Sequence, residues 1–266
     1  MGELSGRVAV VTGAGGGMGR VFAHRLAELG ADVAVLDVDL EAGRRNGEDL
    51  GPYGVVGEVR ALGVRGFGVE ADLADPVAAA AAVERVTGEF GRIDVLVNNA
   101  GGAITPVERS TASRSPETDV RRLLDVNFAT TVNCCRAAAP HLSRRGGAVV
   151  NVITAGVARS DRAGRLAIYA AAKSAVLTYS RYLAVELGPA GVRVNCVAPG
   201  IIRTARILAT AAARGIGEAG QAEGVPLRRL GEPGDVAGVV AFLVGDASAY
   251  VAGQVIGIDG GATLCS

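Results

Sequence analysis

The chain has 266 residues, enough for one large α/β domain whose core needs neither disulfides nor metal ions. Its 27 acidic and 27 basic side chains cancel, which argues against nucleic acid or an anionic membrane as a partner and is compatible with a neutral small molecule. No apolar run approaches the roughly 20 residues that cross a bilayer, and no basic or cleavable leader precedes the first predicted strand. We therefore expect a cytoplasmic protein.

Short apolar runs alternate with Ala- and Leu-rich stretches along the whole chain. The runs are VAVV at 8–11, VAVL at 33–36, FGVE at 67–70, IDVLV at 93–97, AVVNV at 148–152, VRVNCV at 192–197 and QVIGI at 254–258. Nearly continuous apolar strands that alternate with helices are typical of a parallel sheet covered on both faces. We predict an α/β fold, with one doubly wound, seven-stranded parallel sheet in a single domain over residues 1–266. The connection between the second and third strands is long, and GEDLGPYG at 47–54 is expected to separate two helical pieces.

A glycine-rich segment, TGAGGGMG at 12–19, connects the first predicted strand to a helix expected at about 20–29. Glycines permit a tight turn and a close approach of backbone N–H groups, and the helix N-terminus adds positive potential. The strand before the segment and the helix after it make this pattern a dinucleotide-binding fingerprint. We predict that Gly13, Gly17 and Gly19 hold a pyrophosphate.

Two acidic residues follow the second and third strands. Asp37 lies 20 residues after Gly17, a separation at which a carboxylate can reach the adenosine ribose hydroxyls and repel a 2′-phosphate. Val38 and Gly16 offer no cation beside it, so NAD is predicted as the cofactor in preference to NADP. Asp72 has two interpretations, a neighbour of the adenine or the N-cap of the next helix.

Tyr169 and Lys173 stand four residues apart in IYAAAKSAV, so a helix would present both from one face. The chain has 27 lysines and arginines in total, and Lys173 is the only lysine among them. An ammonium is a compact charge that a planar guanidinium does not reproduce. A nearby cation favours the phenolate of a tyrosine, whose ordinary pKa is about 10. We predict that Tyr169 transfers a proton and that Lys173 lowers its pKa.

Further motifs continue along the chain. They are NNAG at 98–101, Asn127 in LLDVNFATT, PGIIRT at 199–204 and IDGG at 258–261. With the glycine-rich segment and the Tyr169 and Lys173 pair, these motifs resemble the short-chain dehydrogenase/reductase family over almost the whole chain. The resemblance implies a single-domain Rossmann fold, a nicotinamide cofactor and a carbonyl or alcohol substrate. It also implies a homotetramer, assembled through the helices of Asn127 and Tyr169 and through the last strand region.

By this resemblance, Tyr169 is the general acid/base that exchanges a proton with the substrate oxygen, and Lys173 also binds the nicotinamide ribose. Asn127 is expected to hold a water that connects Lys173 to solvent, and Asn98 to stabilise the central sheet. The residues assigned to the cofactor are Gly13, Gly17, Met18, Gly19, Asp37, Asp72, Leu73, Asn99, Ala100, Gly101, Tyr169, Lys173, Pro199, Gly200, Ile202 and Thr204.

One position departs from the family pattern. The family places a serine after the fifth strand to orient the substrate carbonyl, whereas the run NVIT puts Thr154 there. A threonine hydroxyl can make the same hydrogen bond, while its methyl group narrows the site. Thr154 and Tyr169 are farther apart in the chain than is usual in the family, so the intervening loop is extended. Ser160 is a weaker substitute donor.

Two segments are expected to set the substrate specificity, the loop at about 155–168 and a helical lid at about 205–224. The charged residues of the loop are Arg159, Asp161, Arg162 and Arg165. These charges could bind an acidic or acyl-carrier substrate. Equally, they could belong to a solvated polar loop or to a contact between subunits. The lid segment is rich in Ala, Gly and Arg and contains no strand-like run.

The sequence thus predicts an NAD(H)-dependent oxidoreductase that acts on a secondary alcohol or ketone. Two alternatives stay open: an NADPH-dependent 3-oxoacyl thioester reductase, which Asp37 opposes, and a non-catalytic NAD-binding regulatory protein. The cysteines at 134, 135, 196 and 265 have no zinc-ligand spacing, so we expect reduced, mostly buried thiols and no metal site.

Overall fold

The computed structural model describes residues 2–158, 160, 163–209 and 219–263. Its strands are β1 (Val8–Thr12), β2 (Asp32–Asp37), β3 (Gly66–Glu70), β4 (Val95–Asn98), β5 (Gly147–Val152), β6 (Val192–Pro199) and β7 (Val255–Ile258). They form one sheet in the order β3-β2-β1-β4-β5-β6-β7, and every neighbouring pair is parallel. The predicted fold class is confirmed, with strand ends shifted by one or two residues.

Helices connect the strands and cover both faces of the sheet. They are α1 (Gly17–Glu28), α2 (Ala42–Arg45), α3 (Gly54–Ala61), α4 (Pro76–Phe90), α5 (Glu117–Leu124), α6 (Thr130–Leu142), α7 (Ala167–Leu187), α8 (Ala205–Ala209), α9 (Ala219–Glu223) and α10 (Pro233–Val244). A wider, π-helical turn, Asp125–Ala129, joins α5 to α6. Among the residues that the structure describes, no helix is both long and apolar enough to cross a membrane.

The core lies in two layers, one on each face of the sheet. Alternate strand residues point to opposite faces, so Ala9 and Val11 of β1 join the layer that includes residues of α1, α3 and α10. Val8 and Val10 join the layer that includes residues of α4, α6 and α7. Burial on both faces explains why the strands are nearly all apolar.

Two details differ from the sequence-based expectation. The helix after the glycine-rich segment begins at Gly17 instead of 20, because the last glycines of the segment already form its first turn. The N-cap interpretation of Asp72 is wrong, since the cap of α4 is Asp75, whose side chain accepts a hydrogen bond from Val77 N–H at 2.8 Å. Asp72 instead accepts one from Ala74 N–H at 3.0 Å.

The connection between the second and third strands follows the expected pattern. Between β2 and β3, α2 ends at Arg45 and α3 begins at Gly54, on either side of the GEDLGPYG segment. In the predicted lid, α8 and α9 are helical, while residues 210–218 lie outside the described residues. Arg159, Asp161, Arg162 and Cys265, named in the sequence analysis, also lie outside them.

Candidate active site

A cleft of about 2330 Å³ lies at the edge of the sheet formed by the carboxyl ends of the strands. The strand order reverses between β1 and β4, and open parallel sheets bind ligands in the crevice at such a point. The sequence-predicted site residues that line this cleft are Gly13, Gly17, Met18, Asp37, Asp72, Leu73, Asn99, Ala100, Gly101, Thr154, Tyr169, Lys173, Pro199, Gly200, Ile202 and Thr204. Two others, Gly19 and Asn127, are not part of its lining.

The glycine-rich turn has room on its cleft side and is tightly packed on the other. Gly17 has a left-handed φ of 59°, and an added Cβ there would meet no atom within 4 Å. At Gly19 a Cβ would lie 2.2 Å from the carbonyl oxygen of Gly13, so a side chain cannot be accommodated. This shape fits the pyrophosphate of a dinucleotide approaching the N-terminus of α1.

Side chains at the ends of β1 and β4 hold the turn in place. The Thr12 hydroxyl accepts hydrogen bonds from the N–H groups of Asn99 and Ala100, at 3.1 and 3.0 Å. The Asn99 amide donates to the carbonyl oxygens of Thr12 and Gly13, at 3.1 and 2.9 Å. The NNAG segment therefore supports the turn directly, and Thr12 is a supporting residue that the sequence analysis did not single out.

Asp37 lies at the end of β2, beside the turn. Its carboxylate accepts hydrogen bonds from the N–H groups of Gly15, at 2.8 Å, and Asp39, at 3.2 Å. Burial raises the pKa of Asp37 above its ordinary value, and the backbone hydrogen bond from Gly15 opposes that rise. Asp37 is thus fixed against the glycine-rich turn at one end of the cleft.

Glu48 is a second carboxylate at the turn. It reaches over from the segment between α2 and α3 and accepts a hydrogen bond from Gly17 N–H at 2.7 Å and from Arg20 at 3.2 Å. Arg20 also donates to both carboxylate oxygens of Glu58, which His24 contacts at 2.8 Å. Partial burial raises the pKa of Glu58, but the hydrogen bonds from Arg20 and His24 outweigh it and leave that pKa lowered. A carboxylate therefore lies at the positive end of α1.

Tyr169 and Lys173 project from one face of α7, one turn apart, and both line the cleft. Lys173 is only 3% exposed, and its ammonium donates a hydrogen bond to the carbonyl oxygen of Val152 at 2.8 Å. Burial lowers the pKa of Lys173 to about 8. The only lysine of the chain is therefore buried at the end of β5, one helical turn after the half-buried Tyr169.

The start of α7 is fixed by Ser110. Leu166, which precedes the helix, has a left-handed φ of 60°, a conformation that is rare for a residue with a branched side chain. Its N–H donates to the Ser110 hydroxyl at 3.1 Å, and Ala167 N–H donates to the Ser110 carbonyl at 3.3 Å. Ser110 thus positions the helix turn that carries Tyr169, and no motif indicated this.

Thr154 follows β5 and lines the cleft. Its hydroxyl oxygen accepts a hydrogen bond from Gly156 N–H at 3.2 Å. A hydroxyl that accepts in this way still has its own proton to donate. Thr154 is therefore held at a position from which it can orient a substrate oxygen. Ser160 and Arg165 also line the cleft.

Asn127 lies in the π-helical turn and is fully buried. Its amide N–H groups donate to the carbonyl oxygens of Gly102 and Leu123, at 3.1 and 3.0 Å, and its oxygen accepts from Gly102 N–H at 2.8 Å. Both amide hydrogens of Asn127 are therefore bonded to backbone carbonyls. A water beside Asn127 could not accept a hydrogen bond from this side chain and would have to donate one to an oxygen atom of the residue. The water relay stays a prediction.

A chain of buried polar groups connects the centre of the sheet to α7. The Asn98 amide donates to Asn151 at 2.8 Å, and the Asn151 amide donates to the Ser180 hydroxyl at 2.7 Å. These bonds connect β4, β5 and α7, which matches the stabilising role expected of Asn98. Cys134 on α6 is buried and free, and burial raises its pKa to about 12. Such a thiol has little thiolate character.

Comparison with known proteins agrees with this geometry. Residues 13–263 match the family described as enoyl-(acyl carrier protein) reductase. A cyclohexanol dehydrogenase from Rhodococcus sp. (strain TK6) is 43% identical over 98% of this chain and 97% of its own length. The chain belongs to the short-chain dehydrogenase/reductase family.

More distant relatives cover nearly the same length of this short-chain dehydrogenase. A 7alpha-hydroxysteroid dehydrogenase from Escherichia coli (strain K12) is 31% identical over 97% of this chain and 95% of its own. The crystal structure of carveol dehydrogenase from Mycobacterium avium in complex with NAD superposes with a TM-score of 0.87 at 27% identity, covering 99% of this chain and 100% of that chain. The whole chain is thus one oxidoreductase domain of this family.

Proposed function

We propose that this short-chain dehydrogenase is an NAD(H)-dependent oxidoreductase that interconverts a secondary alcohol and its ketone. The observation that carries the proposal is that α7 presents Tyr169 and Lys173 to the same cleft that contains the glycine-rich turn and Asp37. One end of the cleft thus suits a dinucleotide, and the other suits proton transfer.

A bound nicotinamide supplies the hydride acceptor for oxidation and the hydride donor for reduction. Thr154 orients the substrate oxygen by donating its hydroxyl proton. Tyr169 takes the hydroxyl proton of the alcohol during oxidation and returns a proton to the carbonyl oxygen during reduction. Lys173, held by the carbonyl of Val152, stabilises the phenolate form of Tyr169 with its positive charge.

The surroundings of Asp37 support NAD over NADP. A 2′-phosphate would lie near the carboxylates of Asp37 and Glu48, both of which line the cleft. An added Cβ on Gly16 would lie 2.5 Å from Cα of Gly43, so α2 leaves no room there for a cationic side chain. Val38, also in the lining, is apolar. Like charges repel a phosphate, and these positions supply no cation to hold it.

The similarity to a cyclohexanol dehydrogenase supports a secondary alcohol on a ring as the substrate class. The test is to follow NAD reduction with cyclohexanol and other secondary alcohols, and NADH oxidation with the matching ketones. We expect turnover with these pairs. Turnover only of a 3-oxoacyl thioester with NADPH would instead favour the thioester reductase, and NADH binding without any turnover would favour a regulatory protein.

Replacing Asp37 with alanine should relax the cofactor preference. The variant loses a carboxylate that accepts hydrogen bonds from ribose hydroxyls, and we expect kcat/KM with NAD to fall about 10- to 100-fold. The repulsion of a 2′-phosphate is removed as well, so kcat/KM with NADP should rise. Asp39→Ala is the matched control, because this neighbouring carboxylate does not line the cleft. A strong preference of the parent for NADPH would refute the assignment.

We also propose that the chain forms a homotetramer. Large apolar side chains are exposed on α5 and α7, at Leu124, Tyr182 and Val185, on α10, at Phe242, and shortly before β7, at Tyr250. Exposed apolar patches mark interaction surfaces. Light scattering should give a mass about four times that of the chain, and the double variant Tyr182→Asp/Val185→Asp should give smaller particles. A monomeric parent would contradict the proposal.

A further inference from the structure

Arg206 brings a positive charge into the cleft from α8. A Cβ added to Gly102 would lie 2.5 Å from Nη2 and 3.0 Å from Nη1 of Arg206, so the guanidinium packs against the backbone that follows β4. Arg206 lines the same cleft as Gly13 and Gly101. It belongs to none of the motifs that indicate the cofactor site.

The guanidinium lies within electrostatic reach of both ends of the proposed dinucleotide site. Burial has the largest influence on both pKa values: it raises that of Asp37, which the charge of Arg206 opposes, and it lowers that of Lys173, which the charge of Arg206 lowers further. Asp37 is assigned to the adenosine ribose and Lys173 to the nicotinamide ribose. In a dinucleotide the pyrophosphate joins the two ribose groups. A pyrophosphate that runs from Asp37 to Lys173 would therefore pass close to Arg206, whose charge acts on both residues.

Nearby carboxylates reduce the positive potential that the glycine-rich turn offers to a pyrophosphate. One of its N–H groups, that of Gly17, already donates to the carboxylate of Glu48. Asp37, Asp72 and Asp259 add further carboxylates to the lining. Lys173 is directed to the carbonyl of Val152. A pyrophosphate carries two negative charges, and a guanidinium binds phosphate oxygens with two parallel hydrogen bonds.

We propose that Arg206 binds the pyrophosphate of the dinucleotide cofactor from α8, complementing the backbone N–H groups of the glycine-rich turn. The proposal rests on the proposed function, because it requires a nicotinamide dinucleotide in the cleft. It makes α8, at the start of the lid segment, part of the cofactor site.

The test is calorimetric titration of the full-length protein with NADH and with ADP-ribose, which keeps both phosphates and lacks the nicotinamide. Arg206→Met should weaken the binding of both ligands by roughly 10- to 100-fold, the effect of losing charge-assisted hydrogen bonds. Arg206→Lys should recover part of the loss, because it restores the charge without the planar fork. Added salt should weaken binding to the parent more than binding to Arg206→Met.

Arg203→Met is the matched control. Arg203 lies three residues earlier, pairs with Glu232 at 3.2 Å and does not line the cleft, so its loss should leave both affinities unchanged. Equal binding of ADP-ribose by the parent and Arg206→Met would overturn the proposal, as would a loss confined to NADH. Failure of the proposed function looks different, because it appears in the turnover assays as a parent that interconverts no secondary alcohol and ketone with NAD(H), whereas the proposal for Arg206 fails only in the binding titrations.

Discussion

Replacing Tyr169 with phenylalanine should lower kcat for alcohol oxidation by about 10²- to 10⁴-fold, the usual contribution of a positioned general acid or base. The phenyl ring fills the same space on α7, but the group that exchanges the proton is gone. NADH affinity should stay close to that of the parent, since the ring and the helix are retained. Steady-state kinetics with NAD and a secondary alcohol, together with calorimetric titration of NADH, separate the two effects.

Tyr182→Phe provides the control for the loss of a tyrosine hydroxyl. Tyr182 is on the same helix but is 76% exposed and does not line the cleft. Its variant should keep the kcat of the parent. A Tyr169→Phe enzyme as active as the parent would show that proton transfer takes place elsewhere, and the proposed mechanism would be wrong.

Lys173 should make the free energy of unfolding increase with pH between about 8 and 10.5. The pKa of this ammonium is lowered by burial from 10.5 to about 8, so within that range the unfolded chain binds a proton that the folded chain does not. Below pH 8 the buried charge destabilises the fold by about 3 kcal/mol, and above pH 10.5 that destabilisation is gone. The expected gain on raising the pH is therefore about 3 kcal/mol.

The gain is measured as a difference between variants, because other groups titrate in the same range. Denaturant unfolding of Tyr169→Phe and of Tyr169→Phe/Lys173→Met at several pH values isolates the lysine and removes the neighbouring phenol. The lysine-containing protein should gain stability relative to its partner as the pH rises. A difference that does not change with pH, or that changes in the opposite direction, would contradict a buried lysine with a lowered pKa.

The sheet can be predicted from the sequence because each strand is packed on both sides. Apolar runs such as those of β1 and β5 therefore stand out against the helices without any knowledge of their neighbours. The placement of the glycine-rich turn, Asp37, Tyr169 and Lys173 in one cleft follows in the same way. The glycine-rich turn and Asp37 each follow a strand, and Tyr169 and Lys173 are one helical turn apart. Parallel strands bring their carboxyl ends to one edge of the sheet.

Contacts between distant segments could not be predicted in this way. Glu48 belongs to a segment that the sequence marks only as a break, and its bond to Gly17 depends on how α2 packs against the turn. Arg206 likewise reaches the cleft only because α8 follows β6 at the same edge of the sheet. Long-range packing decides both contacts. The cap of α4 is a local matter instead, because Pro76 takes the first helical position and the residue directly before it, Asp75, becomes the N-cap.

Since the only lysine of the chain is buried, reagents that acylate amines should leave the side chains of the folded protein unmodified. A protease that cuts after lysine has a single side-chain target, in the middle of α7, and can reach it only when that helix opens. The rate of cleavage or acylation at Lys173 therefore reports directly how often the helix that carries the proton-transfer pair exposes itself to solvent.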